Sequence, residues 1–203
     1  MKRITGTALA VGAALTLLAQ GATAQTVWRF SSYIPVNHPL NAKLIAPWGK
    51  DLERVTQGRV TLQIIPALGP PQAHFDLVKN GVADVAMPVA NYTPQRMKLQ
   101  GLAELPFTSD TSLAPSVALQ RTHDRFFSKA NEFDGVTLGA IWAHGPAHLY
   151  TVNKPIKGLA DIRNMKIRSA GGISNSVVEL MGAQPFFAPV NQAYEVLSKG
   201  VAD

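Results

Sequence analysis

The sequence predicts an α/β protein with mostly parallel sheets, arranged as two similar lobes of which the second is incomplete. Three observations carry this. Apolar segments of strand length alternate with segments whose apolar residues recur every three or four positions, a pattern that closes as a parallel sheet covered by helices. Lys79-Asn80-Gly81-Val82-Ala83-Asp84 is echoed by Ser198-Lys199-Gly200-Val201-Ala202-Asp203, each after an amphipathic helix, so the same unit is used twice. The 203 residues are 46% hydrophobic and 16% charged with no cysteine, so packing alone must hold the core and thiolate metal sites are excluded.

Residues 1–24 have the layout of an export signal. Lys2 and Arg3 supply the charged start, Leu9 to Leu18 the apolar centre and Ala22-Thr23-Ala24 a small-residue cleavage site. The apolar run falls short of the roughly 20 residues that span a bilayer, so the mature chain is expected to be exported and not itself membrane-spanning. Without Lys2 and Arg3 the 19 basic residues become 17 against 13 acids, a net charge of +4. No basic run or basic–aromatic interleaving accompanies this excess, which argues against nucleic-acid binding. A mild positive balance suits a small anion, or simply a solvated basic surface.

Val27 to Phe30 form the first predicted strand, ending in the loop 31–39. Leu40, Leu44, Trp48, Leu52 and Val55 then trace one face of a helix. Asn37 is the candidate cap, Pro39 suits the first helical position, Pro47 should kink the helix, and Gly58 stops it. Val60, Leu62 and Ile64 alternate as a strand up to Pro66. Pro71 opens a second helix ending at Gly81, and Ala83 to Val89 read as a buried strand. A helix is expected from about Leu113 to Asn131, with strands at Val136 to Ala143 and His148 to Val152 split by His144-Gly145-Pro146. Met165 to Ser169 form a short strand and Gly171-Gly172 a turn. Ser174 to Met181 form a helix, Phe186 and Phe187 lie in a strand, and Asn191 to Lys199 form the last helix.

Six stretches in order, Tyr33-Ile-Pro-Val-Asn-His-Pro39, Thr56-Gln-Gly-Arg-Val60, Asp76-Leu-Val-Lys-Asn-Gly-Val-Ala-Asp84, Glu104-Leu-Pro-Phe107, Met165-Lys-Ile-Arg168 and Tyr194-Glu-Val-Leu-Ser-Lys-Gly-Val-Ala-Asp203, resemble the DctP-type solute receptors of tripartite ATP-independent periplasmic (TRAP) transporters. The resemblance covers nearly all of the mature chain. It implies a periplasmic binding protein-like fold, a carboxylate-bearing organic acid held between two lobes, and delivery to TRAP permease membrane subunits. It implies no cofactor and no enzymatic reaction. Family members are longer, so the expected organisation is a signal peptide at 1–24, lobe 1 at 25–147 and a partial lobe 2 at 148–203.

Candidate ligand-binding residues follow from strand ends, where open α/β sheets place their ligands. In a period-two strand Met165 and Ile167 face one side and Lys166 and Arg168 the other, which sets Arg168 beside the Gly171-Gly172 turn. Its guanidinium fork matches a carboxylate through two parallel hydrogen bonds. On the residues alone Arg168 reads equally as a solvated strand-end arginine; the resemblance makes it the carboxylate anchor. Tyr33 and Asn91 follow the first and third strands and offer a phenol and an amide, with ordinary turn chemistry an even alternative for Asn91. His148 stands where some family members carry a second arginine, and Phe187 offers an apolar wall or a core aromatic. His144 and His148 make no metal site, since Gly145-Pro146 breaks their spacing and no carboxylate joins them.

Two other functions were weighed. An exported hydrolase lacks support, because there is no Gly-x-Ser-x-Gly elbow, no His-Glu-x-x-His helix and no cysteine nucleophile. A ligand-sensing module on the same binding fold leaves the same sequence pattern.

Overall fold

The computed structural model describes residues 25–203; the export signal read at 1–24 lies outside the described residues. Two parallel sheets organise the chain. In the first, β1 (Thr26–Ser32) lies centrally between β2 (Val60–Pro66) and β3 (Val85–Ala86). In the second, β4 (Lys166–Ser169) pairs with β5 (Gln184–Phe187). All three ladders are parallel, as the strand–helix alternation requires.

The first crossover runs through α1 (Ala46–Val55). The chain is helical from Pro39, and a π-helical turn at Asn41–Ile45 leads into α1. The π turn sits directly before Pro47, which has no N–H to donate and a ring that crowds the preceding turn, so the expected kink is absorbed as one widened turn. The start is capped by the His38 ring, whose Nδ1 accepts from the Leu40 N–H at 3.2 Å, rather than by Asn37.

This crossover departs from the sequence reading in its buried face. Leu40, Leu44, Trp48 and Val55 are 37–63% exposed, whereas Asn41, Ile45 and Gly49 are buried. Gly49 decides the rotation. A Cβ there would stand 2.9 Å from Leu62 Cβ, so the helix lies against β2 at a distance only glycine permits.

The return from β2 passes through a 3₁₀ turn at Pro71–Ala73 into α2 (His74–Lys79) and on to β3. Farther on, α3 (Leu113–Thr122) continues as a π turn at His123–Phe127 and a 3₁₀ turn at Ser128–Ala130, filling the expected 113–131 helix with three geometries. Neither strand expected at 136–143 and 148–152 is formed. Among the described residues no neighbour offers them a ladder, and the backbone at Ile141 and Ala143 is tied instead to the Gln120 and Ser116 side chains of α3, both N–H groups donating, at 2.8 and 2.9 Å.

The second unit is shorter: α4 (Leu159–Ile162), β4, α5 (Ile173–Leu180), β5, a 3₁₀ turn at Val190–Gln192 and α6 (Ala193–Ser198). Its core is Ile162, Val178 and Ala183, with Ile156, Ile167 and Met181 packed on it.

The internal echo is a structural repeat. Gly81 and Gly200 both take positive φ, +70° and +65°, ending their helices in the left-handed conformation that glycine adopts without strain. Ala83 and Ala202 are both buried. Asp84 grips β1 twice: its N–H donates to Arg29 O at 3.0 Å and its Oδ2 accepts from the Arg29 N–H at 2.8 Å. Asp203 does the same to β4, donating to Lys166 O and accepting from the Lys166 N–H, both at 2.8 Å. Val-Ala-Asp is therefore a clamp that fastens each helix end to the first strand of its unit, β1 or β4.

Candidate functional site

The two sheets face an open cavity of about 2450 Å³ whose wall includes Tyr33, His74, Glu104, His148, Arg168 and Ser174. Arg168 arrives there through strand period. Met165 is buried and Ile167 packs on the second core, while Lys166 and Arg168 take the other face, as the sequence predicts. The Arg168 Nε donates to Ala188 O at 2.7 Å, which fixes the plane of the guanidinium. Its Nη2 is buried without a hydrogen-bond partner among the described residues. With Nε occupied, the two terminal nitrogens are the pair left for an end-on, two-bond grip on a planar anion.

Tyr33 stands in the loop after β1, and that loop is held by a residue the sequence reading missed. Asn41 has no exposed surface, and its Nδ2 donates to Ser32 Oγ at 2.8 Å, Ile34 O at 3.2 Å and Pro35 O at 2.9 Å. The Tyr33 ring meets His74 edge-on at 5.3 Å and Tyr92 at 6.1 Å, and Tyr92 in turn meets Phe187 at 6.1 Å. Burial, with Tyr92 adding to it, pushes the Tyr33 phenol up to about 12, so it stays a neutral donor at any physiological pH. His74 is fully buried; desolvation pulls its pKa down, so the ring is neutral, with Nδ1 toward Ser31 O at 3.3 Å. Tyr92 also ties the sheets together, its hydroxyl accepting from the Val190 N–H at 2.8 Å.

Asn91 is buried at the junction of the two units. Its Nδ2 donates to Glu104 Oε2 in a short bond and to Ser174 Oγ at 3.2 Å. Gly171 and Gly172 make room for it. A Cβ on Gly171 would meet Asn91 O at 2.8 Å, and one on Gly172 would collide with Asn91 Oδ1. Burial pushes the Glu104 carboxyl up, against the pull of the Asn91 hydrogen bond, the electrostatic influence of His144 and the Ser174 hydroxyl. Sequence reasoning noted Glu104 only as part of a family motif, and Tyr92 not at all; an adjacent Asn-Tyr after a strand end was the available signal.

The remaining two candidates are peripheral to this grouping. Phe187 is 40% exposed at the end of β5, closing the aromatic row. His148 is exposed in the irregular segment, its ring 6.3 Å from Tyr150. The structure thus sets Tyr33, Arg168 and His148 on the cavity wall, buries Asn91 behind it at the junction of the two units, and leaves Phe187 at the end of β5 beside Gly171.

Residues 30–203 match the model of the bacterial extracellular solute-binding proteins, family 7 (DctP). This chain belongs to that family. It is 30% identical over 174 residues to the outer membrane transporter protein TsaT of Comamonas testosteroni, covering 85% of this chain and 52% of that protein. Its fold superposes with a TM-score of 0.85 on a TRAP periplasmic solute-binding protein of Bordetella bronchiseptica with bound (R)- and (S)-mandelate, at 39% identity, covering 88% of this chain and 57% of that one. A marine-metagenome TRAP solute-binding protein specific for aromatic acids, in complex with 3-hydroxybenzoate, gives a TM-score of 0.83 at 34% identity, with 88% and 56% covered. The chain therefore spans about half the length of the family 7 relatives it matches. The family and these neighbours are solute-binding receptors with the periplasmic binding protein fold.

Proposed function

We propose that this chain is the solute receptor of a TRAP transporter and captures an organic acid, preferentially an aromatic monocarboxylate, for delivery to permease subunits in the membrane. The observation that carries the reading is the Arg168 guanidinium, pinned through Nε to Ala188 O with its Nη2 buried and unpaired. The Arg168 side chain is half-buried, and its one buried, unpaired donor is costly until an incoming carboxylate reaches it. Tyr33, held edge-on by Tyr92 behind it, lines the cavity and supplies a ring against which an aromatic solute packs. Mandelate and 3-hydroxybenzoate in the two solved relatives support the same ligand class. Tyr33 and Asn91 supply polar contacts, His148 and Phe187 border the solute, and the division into lobe 1 (25–147) and lobe 2 (148–203) puts Arg168 on the second lobe. Capture proceeds by closure, since only the shut state desolvates the ion pair and the solute stabilises the state it binds better. Location in the periplasm follows from the same reading.

Titration calorimetry with mandelate, 3-hydroxybenzoate and succinate tests it. The native chain is expected to bind at least one aromatic acid more tightly than succinate. Arg168→Ala is expected to weaken that binding by at least about 30-fold, the lower range for truncating one partner of a buried charge pair. Arg168→Lys should rescue only part, because a point charge does not reproduce the fork. Full-strength binding by a folded Arg168→Ala variant removes the assignment.

A further inference from the structure

Of the four acidic groups lining the cavity, Asp84, Glu104, Asp110 and Asp203, the one held by side chains from both units is Glu104. It ends a 3₁₀ segment at Leu99–Glu104, and both Asn91 and Ser174 donate to the same carboxylate oxygen, Oε2, the hydroxyl at 3.5 Å. Oε1 has no hydrogen-bond partner among the described residues, and the side chain lines the cavity. A carboxylate in that position repels an organic anion entering beside it, and desolvation by the solute makes the ionised form costlier still. We propose that Glu104 is a solute-contacting group that becomes protonated in the loaded receptor, its Oε1–H donating to the bound acid, so that capture of the anion takes up one proton from solvent.

The proton balance is closed: the solute enters as an anion, Glu104 gains the proton from water or buffer, and release of the solute returns it. Asn91 and Ser174 hold Oε2 as the acceptor, which leaves Oε1 as the atom to carry hydrogen. Burial that already raises the Glu104 carboxyl in the empty site acts in the same direction. The group that acts on it through charge is His144, from the segment after α3. Tyr33, His74, Asp84, Asp110, His148, Tyr150, Arg168 and Asp203 share the cavity wall. The inference rests on the carboxylate reading above and adds a second contact to it, one that discriminates against solutes presenting only donors at that end of the cavity.

The test is calorimetry of mandelate and 3-hydroxybenzoate in phosphate and in Tris, buffers of different ionisation enthalpy, together with affinity from pH 5 to 8. The expected result is a binding enthalpy that shifts with buffer, reporting uptake approaching one proton, and a Kd that rises by up to about tenfold per pH unit between the carboxyl's free and loaded pKa. In Glu104→Gln, which keeps an acceptor for Asn91, binding is expected to be independent of buffer and of pH. Binding by the native chain with no buffer dependence overturns this inference and leaves the carboxylate reading standing. A buffer dependence that survives in Glu104→Gln and vanishes in His144→Ala assigns the proton to His144 and equally overturns it. If neither acid binds the native chain, both readings fall. Should Glu104→Gln not fold, judged by circular dichroism, the native buffer and pH series with His144→Ala as reference decides.

Discussion

Asn41 has no charge and no reactive atom, yet the position of Tyr33 depends on it. It occupies the buried face of a helical turn where an apolar residue is expected, and it satisfies two backbone carbonyls of the loop after β1. A polar residue survives complete burial only when its hydrogen bonds are met, so the loop and the side chain define each other. Asn41→Ala is expected to cost about 2 kcal/mol, because it empties a fully buried site and removes three hydrogen bonds to the loop, although Ile34 O keeps the Ser32 hydroxyl and Pro35 O the His38 N–H, and to weaken solute binding through a loosened Tyr33. Urea denaturation followed by calorimetry checks both halves; a variant as stable as the parent would show that the loop holds itself. At this scale Arg168 was legible in the sequence, since strand period alone fixes which side a residue faces. Asn41 and Glu104 were not. Their importance comes from neighbours 6 to 70 residues away, Pro35 and Ser174 among them, and no local pattern records those.

Among the elements, the repeated Val-Ala-Asp clamp was visible as an echo in sequence, and its physical meaning emerged from the backbone bonds that Asp84 and Asp203 make to Arg29 and Lys166. Asp84 additionally accepts from Arg29 Nε at 2.9 Å, and Arg29 Nη2 donates to Gly81 O at 3.0 Å. These hydrogen bonds from Arg29 hold the Asp84 carboxyl below the usual carboxylate range. A carboxyl lowered on folding contributes stability that is present above the ordinary value and is lost as pH falls through the folded one. The pair is open to solvent, so screening keeps its contribution small. Asp84→Ala is therefore expected to lower thermal stability modestly at pH 7 and to narrow its gap from the parent in strong acid. Asp84→Asn, which keeps one acceptor for the Arg29 N–H, should lose less. A gap of equal size at pH 7 and pH 2.5 would refute the electrostatic part. The two strands expected at 136–143 and 148–152 fail for a related reason: alternation prepares a segment to pair, but a strand exists only where a neighbour supplies the ladder.

For the molecule as a whole, the junction between the two sheets is made of few contacts, and each crosses from one unit to the other. Tyr92 reaches Val190, Asn91 reaches Ser174, and Gly171 and Gly172 lie against Asn91. Gly172 has φ +54° and ψ −133°, outside the regions open to residues with a Cβ, and its Cα faces Asn91 without room for another atom. Gly172→Ala is expected to open this junction and weaken capture of an aromatic acid by tenfold or more while leaving far-ultraviolet circular dichroism unchanged, because the strain falls between the sheets and not within them. Parent-like affinity would show that the junction does not govern closure. Outside 136–152, the alternation of strands and helices, their parallel pairing, the twofold use of one helix-end motif and the face of Arg168 were determined by the sequence alone, because period, turn chemistry and helix stops are local properties. Which face of α1 is buried, that Asn91, Glu104 and Ser174 meet, and that the Arg168 fork is held with one terminal nitrogen unpaired were decided by the tertiary structure. Close packing at Gly49 and hydrogen bonding between distant segments select among arrangements that local preference leaves equal in energy.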